Sequence, residues 1–193
     1  MASNCTGSQA ACWVASQVDI LKNITTSLGP IERLITGAAY LMGLAFALKA
    51  LYTLKMYGES RTMMSSNTNI KEPLMYFLVA AMLIYLPTGV EIVMNTTFGY
   101  SSPLAYAPMN SKNSALETLF GQDSAIGASL AMVIQVIGLI AFIRGWILVA
   151  RSASQGQSPG GMGKGLVHVF GGILAMNIVG TLEIINNTIY GTG

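Results

Sequence analysis

Few side chains in this 193-residue chain could carry out chemistry, because it holds one histidine, two cysteines and eight carboxylates. His168 is the only imidazole, and it sits in an apolar stretch, Gly165–Leu182, that contains no charged residue. A proton relay needs a partner group at the same depth, so a packing histidine is the plainer reading. A Ser-His-Asp set cannot be assembled around it, no acidic dyad falls within an apolar stretch, and no cluster has metal-ligand spacing. Pro159-Gly160-Gly161-Met162-Gly163-Lys164-Gly165 imitates a phosphate loop, yet Gly165 stands where Ser or Thr is required and no strand precedes it. It reads as a flexible turn. No catalytic residue, cofactor or metal is expected.

The remaining polar candidates suit binding and packing. Gln135 and Asn177 lie deep in apolar stretches, where amides hydrogen-bond between helices. Glu91 and Glu183 stand just beyond two such stretches and could line a mouth or meet a basic partner, or simply follow the charge rule. Cys5 and Cys12 are seven residues apart. Seven residues of helix would separate them by about 10 Å, beyond disulfide reach. A disulfide is expected if Cys5 folds back through Gly7 and Ser8; two free thiols are the alternative.

The elements that must position these groups are membrane helices. Charged residues make up 9% and hydrophobic ones 52%, with a mean hydropathy of +0.56. That composition is far from a soluble domain or a disordered chain. The net charge of +2 argues against direct nucleic-acid binding. Four stretches meet the requirement of about 20 mainly apolar residues: Leu34–Leu54, Pro73–Val90, Ser124–Ile143 and Gly165–Leu182. Upstream, Val14, Val18, Leu21, Ile24 and Leu28 form one stripe on an amphipathic helix that Gly29-Pro30 should end. Trp13 at its start suits a membrane surface. That helix lies flat on the membrane domain or binds a partner. The expected divisions are an extracytoplasmic tail (1–30), a first hairpin (31–99), an extracytoplasmic link (100–123) and a second hairpin (124–193). Phe98, Tyr100, Tyr106 and Phe120, with Pro103 and Pro108, make the link an ordered cap.

Orientation follows from the basic residues. Lys49, Lys55, Arg61, Lys71, Arg144, Arg151 and Lys164 fall on one side with Glu59 and Glu72. Lys22, Arg33 and Lys112 fall on the other with six acids. Net charges of +5 and −3 place the two short links in the cytoplasm and both termini outside. No basic, apolar signal peptide opens the chain. Four Asn-x-Ser/Thr triplets, at Asn4, Asn23, Asn95 and Asn186, lie on the outer side and keep a eukaryotic surface protein as an alternative.

The chain also repeats itself. Glu91-Ile92-Val93-Met94-Asn95-Thr96-Thr97-Phe98-Gly99 matches Glu183-Ile184-Ile185-Asn186-Asn187-Thr188-Ile189-Tyr190-Gly191 at an offset of 92. Gly43 through Leu51 matches Gly138 through Trp146 at an offset of 95. The two matches, in chain order, predict an all-α membrane protein of four transmembrane helices built as two parallel-repeat hairpins. Parallel repeats weigh against the inverted repeats of many transporters. Ala39, Gly43 and Ala47 form a small-residue stripe at spacings of four, with Gly127-Ala131 and Gly171-Ala175 as shorter versions. Such stripes admit close helix contact within the chain or between subunits.

With its outer Cys-containing tail, its Gly-rich turn before Gly165-Leu166-Val167-His168-Val169-Phe170-Gly171-Gly172 and its closing Asn186-Asn187-Thr188, the chain resembles the IcmC/DotE inner-membrane proteins. These belong to the Dot/Icm type IVB secretion systems of Legionella and its relatives. The stretch from Gly160 to Thr188 carries the most specific likeness; the IcmD/DotP and DotV proteins are similarly small and hydrophobic. The resemblance implies a non-enzymatic structural subunit of a virulence-associated translocation channel for effector proteins or DNA. It also implies a bacterial inner-membrane location and hetero-oligomeric partners such as DotA-like and small hydrophobic components, besides membrane lipid. A small homo-oligomeric solute or ion channel is the competing expectation.

Overall fold

The computed structural model describes residues 9–62, 69–99, 114–121, 124, 126–154 and 160–191, with side chains described from 17 to 60 in the first segment. Among the described residues there are seven α-helices and no strand. They are α1 (Gln9–Thr62), α2 (Lys71–Ile84), α3 (Leu86–Phe98), α4 (Ser114–Phe120), α5 (Gly127–Ser152), α6 (Gly161–Met176) and α7 (Ile178–Tyr190). Two stretches, Gln17–Ser60 within α1 and Gly127–Ser152, are long and apolar enough to cross a membrane. The pairs α2–α3 and α6–α7 pass the same test only as bent units, giving two to four candidate spans.

Helix α1 corrects the expected stop at Gly29-Pro30. It runs for 54 residues with Pro30 inside, so the tail helix and the first span are one helix. A glycine stop works by adopting a left-handed conformation. The described glycines with positive φ are Gly99, Gly160 and Gly191, and Gly29 is not among them. Pro30 therefore removes one N–H, the one that would reach the Thr26 carbonyl, without turning the chain. Just upstream, Thr25, Thr26 and Ser27 donate their hydroxyls to the carbonyls of Leu21, Lys22 and Asn23 at 2.7, 3.0 and 3.1 Å. At 1.5 Å per residue α1 is about 80 Å long, against about 30 Å of bilayer hydrocarbon. It cannot lie flat at one end and span at the other while remaining one helix.

The expected second and fourth spans are each broken. Helices α2 and α3 meet at Tyr85 with a bend of 85°, and α6 and α7 meet at Asn177 with a bend of 90°. The two breaks have different chemistry. Pro87, at the start of α3, can neither donate to the Leu83 carbonyl nor fit past it in a continuous helix. Asn177 instead acts as a cap: its Oδ1 accepts the Gly180 N–H at 3.1 Å. Thr181 Oγ1 reaches back across that break to the Leu174 carbonyl at 2.9 Å, one of the acceptors a helix end leaves open. The positions nonetheless correspond, because Tyr85 and Asn177 are 92 residues apart and α3 shifted by 92 covers the same positions as α7.

Two further expectations shift. Helix α5 continues past Arg144 to Ser152, so Trp146 and Arg151 are helical. The Gly-rich segment is helical from Gly161, after Gly160 turns at φ 105°, so its described part is a helix start. The core joins both hairpins: Tyr76, Leu83, Met94, Phe142 and Val149 are among its largest buried side chains. In the link, Phe120 of α4 packs with Ala131 and Val179 in a second cluster, and Phe98 lies against the main core. Tyr100, Pro103, Tyr106 and Pro108 lie outside the described residues.

Candidate functional site

The hairpins are held by backbone contact. A Cβ placed on Gly138 would lie 2.6 Å from the Met176 amide nitrogen and 2.9 Å from the Gly172 carbonyl oxygen. One on Gly172 would lie 2.7 Å from the Phe142 nitrogen and 2.8 Å from the Gly138 oxygen. Gly145 and Gly165 repeat this reciprocal arrangement one heptad away, with Cβ positions 2.9 and 3.0 Å from each other's carbonyl oxygen. Two glycine pairs thus let antiparallel α5 and α6 touch main chain to main chain, where dispersion and weak Cα–H···O contacts replace side-chain packing.

In the first hairpin Gly43 has the corresponding place. Its Cβ would meet Ile84 Cγ1 at 2.9 Å, the Ile84 nitrogen at 3.0 Å and Leu83 Cβ at 3.1 Å. Ile84 precedes the break at Tyr85 as Met176 precedes that at Asn177. Ala39 is fully buried and Ala47 half-buried on the same face, whereas Leu44 is 41% exposed. The small stripe lies, at Gly43, against another helix of its own chain. The sequence does not single out Gly145 and Gly165 as helix contacts; their seven-residue spacing from Gly138 and Gly172 is the signal that could have found them.

The other candidates separate. Glu91 and Glu183 are both exposed, at matching positions on α3 and α7. On these two helices Thr96 and Thr188 donate to the Ile92 and Ile184 carbonyls, each at 2.7 Å. Asn177 is buried as the α7 cap, and Gln135 borders a groove of about 980 Å³ between α1 and α5. That groove is also lined by Thr25, Glu32, Arg33 and Thr36. His168 is half-buried, and its Nδ1 donates to the Lys164 carbonyl at 2.8 Å, a local contact of its own helix. Cys5 lies outside the described residues, as does the Cys12 side chain. Among the described residues no group of three His, Cys, Asp or Glu side chains could hold a metal ion.

At the other end of the bundle a smaller cleft of about 600 Å³ opens between α1, α2 and α5, lined by residues that include Lys49, Tyr76 and Arg151. Lys49 Nζ lies 4.5 Å above the centre of the Tyr76 ring, and Phe46 stacks on that ring at 6.0 Å. The Tyr76 hydroxyl donates to Glu72 Oε1 at 3.4 Å. No protein-family model, curated protein or solved structure matches this chain. Its own residues and their geometry therefore carry the functional reading.

Proposed function

We propose that the chain is a non-enzymatic structural subunit of a bacterial inner-membrane secretion assembly of the type IVB class, working as part of a hetero-oligomer. The reading takes each bent pair as one crossing, so that four spans form two parallel hairpins with both termini periplasmic. Helices α2 and α6, about 21 and 24 Å long, carry the chain outward from the basic side towards the outer leaflet, and α3 and α7 turn along the outer interface. Matching breaks and threonine back-bonds at an offset of 92, and matching glycine contacts at an offset of 95, support the duplication.

The secretion class rests on the resemblance of Gly160–Thr188, and the observation that supports membership of an assembly is the length of α1. With Leu34–Leu54 in the bilayer, residues 9–33 extend about 37 Å beyond it. Ile20, Ile24 and Ile31 are 48, 46 and 45% exposed on that extension. Apolar side chains standing in water along one helix call for a covering protein surface, which an assembly supplies. The chain's own core is filled by Tyr76, Leu83, Met94 and Phe142, and the glycine contacts bring α5 and α6 too close to enclose a path.

A homo-oligomeric solute or ion channel is the second reading, favoured by the open groove between α1 and α5 with its Glu32, Arg33 and Gln135. Reconstitution separates them. Liposomes holding only the purified full-length protein should release an entrapped small anionic dye no faster than empty liposomes. Release that rises with protein content and is abolished by Gln135→Leu would support the channel instead.

A further inference from the structure

We propose that the cleft between Lys49 and Arg151 binds the phosphate of an anionic phospholipid, its acyl chains resting on the apolar wall of Met42, Ala45 and Phe46. The proposal rests on the helices crossing a bilayer, and not on the secretion reading. Lys49 lies on α1 inside the first apolar stretch, and Arg151 in the last turn of α5, so two cations from distant parts of the chain converge on one opening. Among the described residues neither has a carboxylate within ion-pair distance; the described ion pair is Lys55 with Glu59 at 3.6 Å. The nearby acid, Glu72, accepts from the Tyr76 hydroxyl.

Lys49 is held in place. Its ammonium sits over the Tyr76 ring, on which Phe46 also stacks, an arrangement that holds a cation without neutralising it. Arg151 adds a planar fork suited to phosphate oxygens, and Ser154 lines the rim with its hydroxyl donated to the Arg151 carbonyl at 2.7 Å. A volume near 600 Å³ falls within the usual range for a small-ligand site. Below the cations the wall is apolar: Met42, Ala45, Phe46 and Ile147. Free phosphate has no use for that wall, whereas a phospholipid places its headgroup and chains at these two levels. Basic openings between spans on the cytoplasmic face are where anionic headgroups collect.

Native mass spectrometry of the full-length protein in detergent tests this, with dioleoyl phosphatidylglycerol, dioleoyl phosphatidylcholine and inorganic phosphate as probes. One phosphatidylglycerol per chain should be retained where phosphatidylcholine is lost. Lys49→Gln with Arg151→Gln should lower that retention about tenfold, Lys49→Arg with Arg151→Lys should keep it, and Lys55→Gln should leave it unchanged. If the double variant misfolds, Arg151→Gln alone, at an exposed position, must still lower retention about threefold. Equal retention of the two lipids, or no greater loss with Arg151→Gln than with Lys55→Gln, overturns the proposal. So does displacement of phosphatidylglycerol by millimolar inorganic phosphate, which would make this a free-anion site.

Discussion

Gly138→Leu is expected to unfold the α5–α6 hairpin, while Gly171→Leu leaves the melting temperature of the detergent-solubilised chain unchanged. The atoms that would meet a side chain at Gly138 are the Met176 nitrogen, the Ala175 carbonyl carbon and the Gly172 oxygen, at 2.6 to 2.9 Å. All three are main-chain atoms, so no rotamer change can move them away. The helices must separate, and they lose the close contact that replaces a hydrophobic driving force within lipid. Overpacking of this kind costs about 3 kcal/mol or more. Gly171 has nothing within 4 Å of its Cβ position and faces outward. Gly43→Leu should fall between them, at about 2 kcal/mol, because the nearest atom there belongs to the movable Ile84 side chain. Leu44→Ala should be nearly neutral, since lipid tails are as apolar as the Leu44 side chain that faces them. Equal melting temperatures for Gly138→Leu and Gly171→Leu would show that the glycine contacts do not hold the hairpin.

The second large effect concerns orientation. In a chain with Cys5 and Cys12 replaced by Ser, a cysteine at Ala107 should react with an impermeant maleimide in intact spheroplasts. One at Gly156 should react about tenfold less until the membrane is permeabilised. Seven of the ten basic residues lie on the side assigned to the cytoplasm. The residues that begin α2 and α6 are on that side as well, with Lys71 opening α2 and Lys164 in the first turn of α6. The reverse labelling pattern would invert the topology and put the Lys49–Arg151 cleft outside.

Much of the architecture was legible because lipid imposes simple demands on a sequence. Apolar runs mark helices, and small residues at spacings of four mark a close contact at Gly43 but not at Gly171-Ala175, where Gly171 faces outward and its neighbour Gly172 makes the contact. The match around Glu91 and Glu183 carried more than a repeat, since its offset also relates the breaks at Tyr85 and Asn177. What was not legible depended on conformation at single residues. Gly29-Pro30 looks like a stop, but a stop requires a left-handed glycine, and Gly29 stays right-handed when the residues after Pro30 pack as helix. Pro87 falls within the apolar stretch Pro73–Val90 and Asn177 within Gly165–Leu182, and hydropathy does not mark the breaks there because it weighs composition and not hydrogen-bond direction. The Gly145–Gly165 contact had a signal in its seven-residue spacing from Gly138 and Gly172, whereas the Lys49–Tyr76–Arg151 cleft joins residues from three helices, and spacing along the chain does not reveal which helix faces will meet.

The most direct test of the structural-subunit reading is purification of the tagged full-length chain from native membranes in mild detergent, with identification of every co-purifying chain. The account predicts a large complex with a reproducible ratio to other multi-pass inner-membrane proteins, lost when Ile20, Ile24 and Ile31 are changed together to Ser while the protein level is maintained. Recovery of this chain alone, as a homo-oligomer indifferent to those three substitutions, would contradict it.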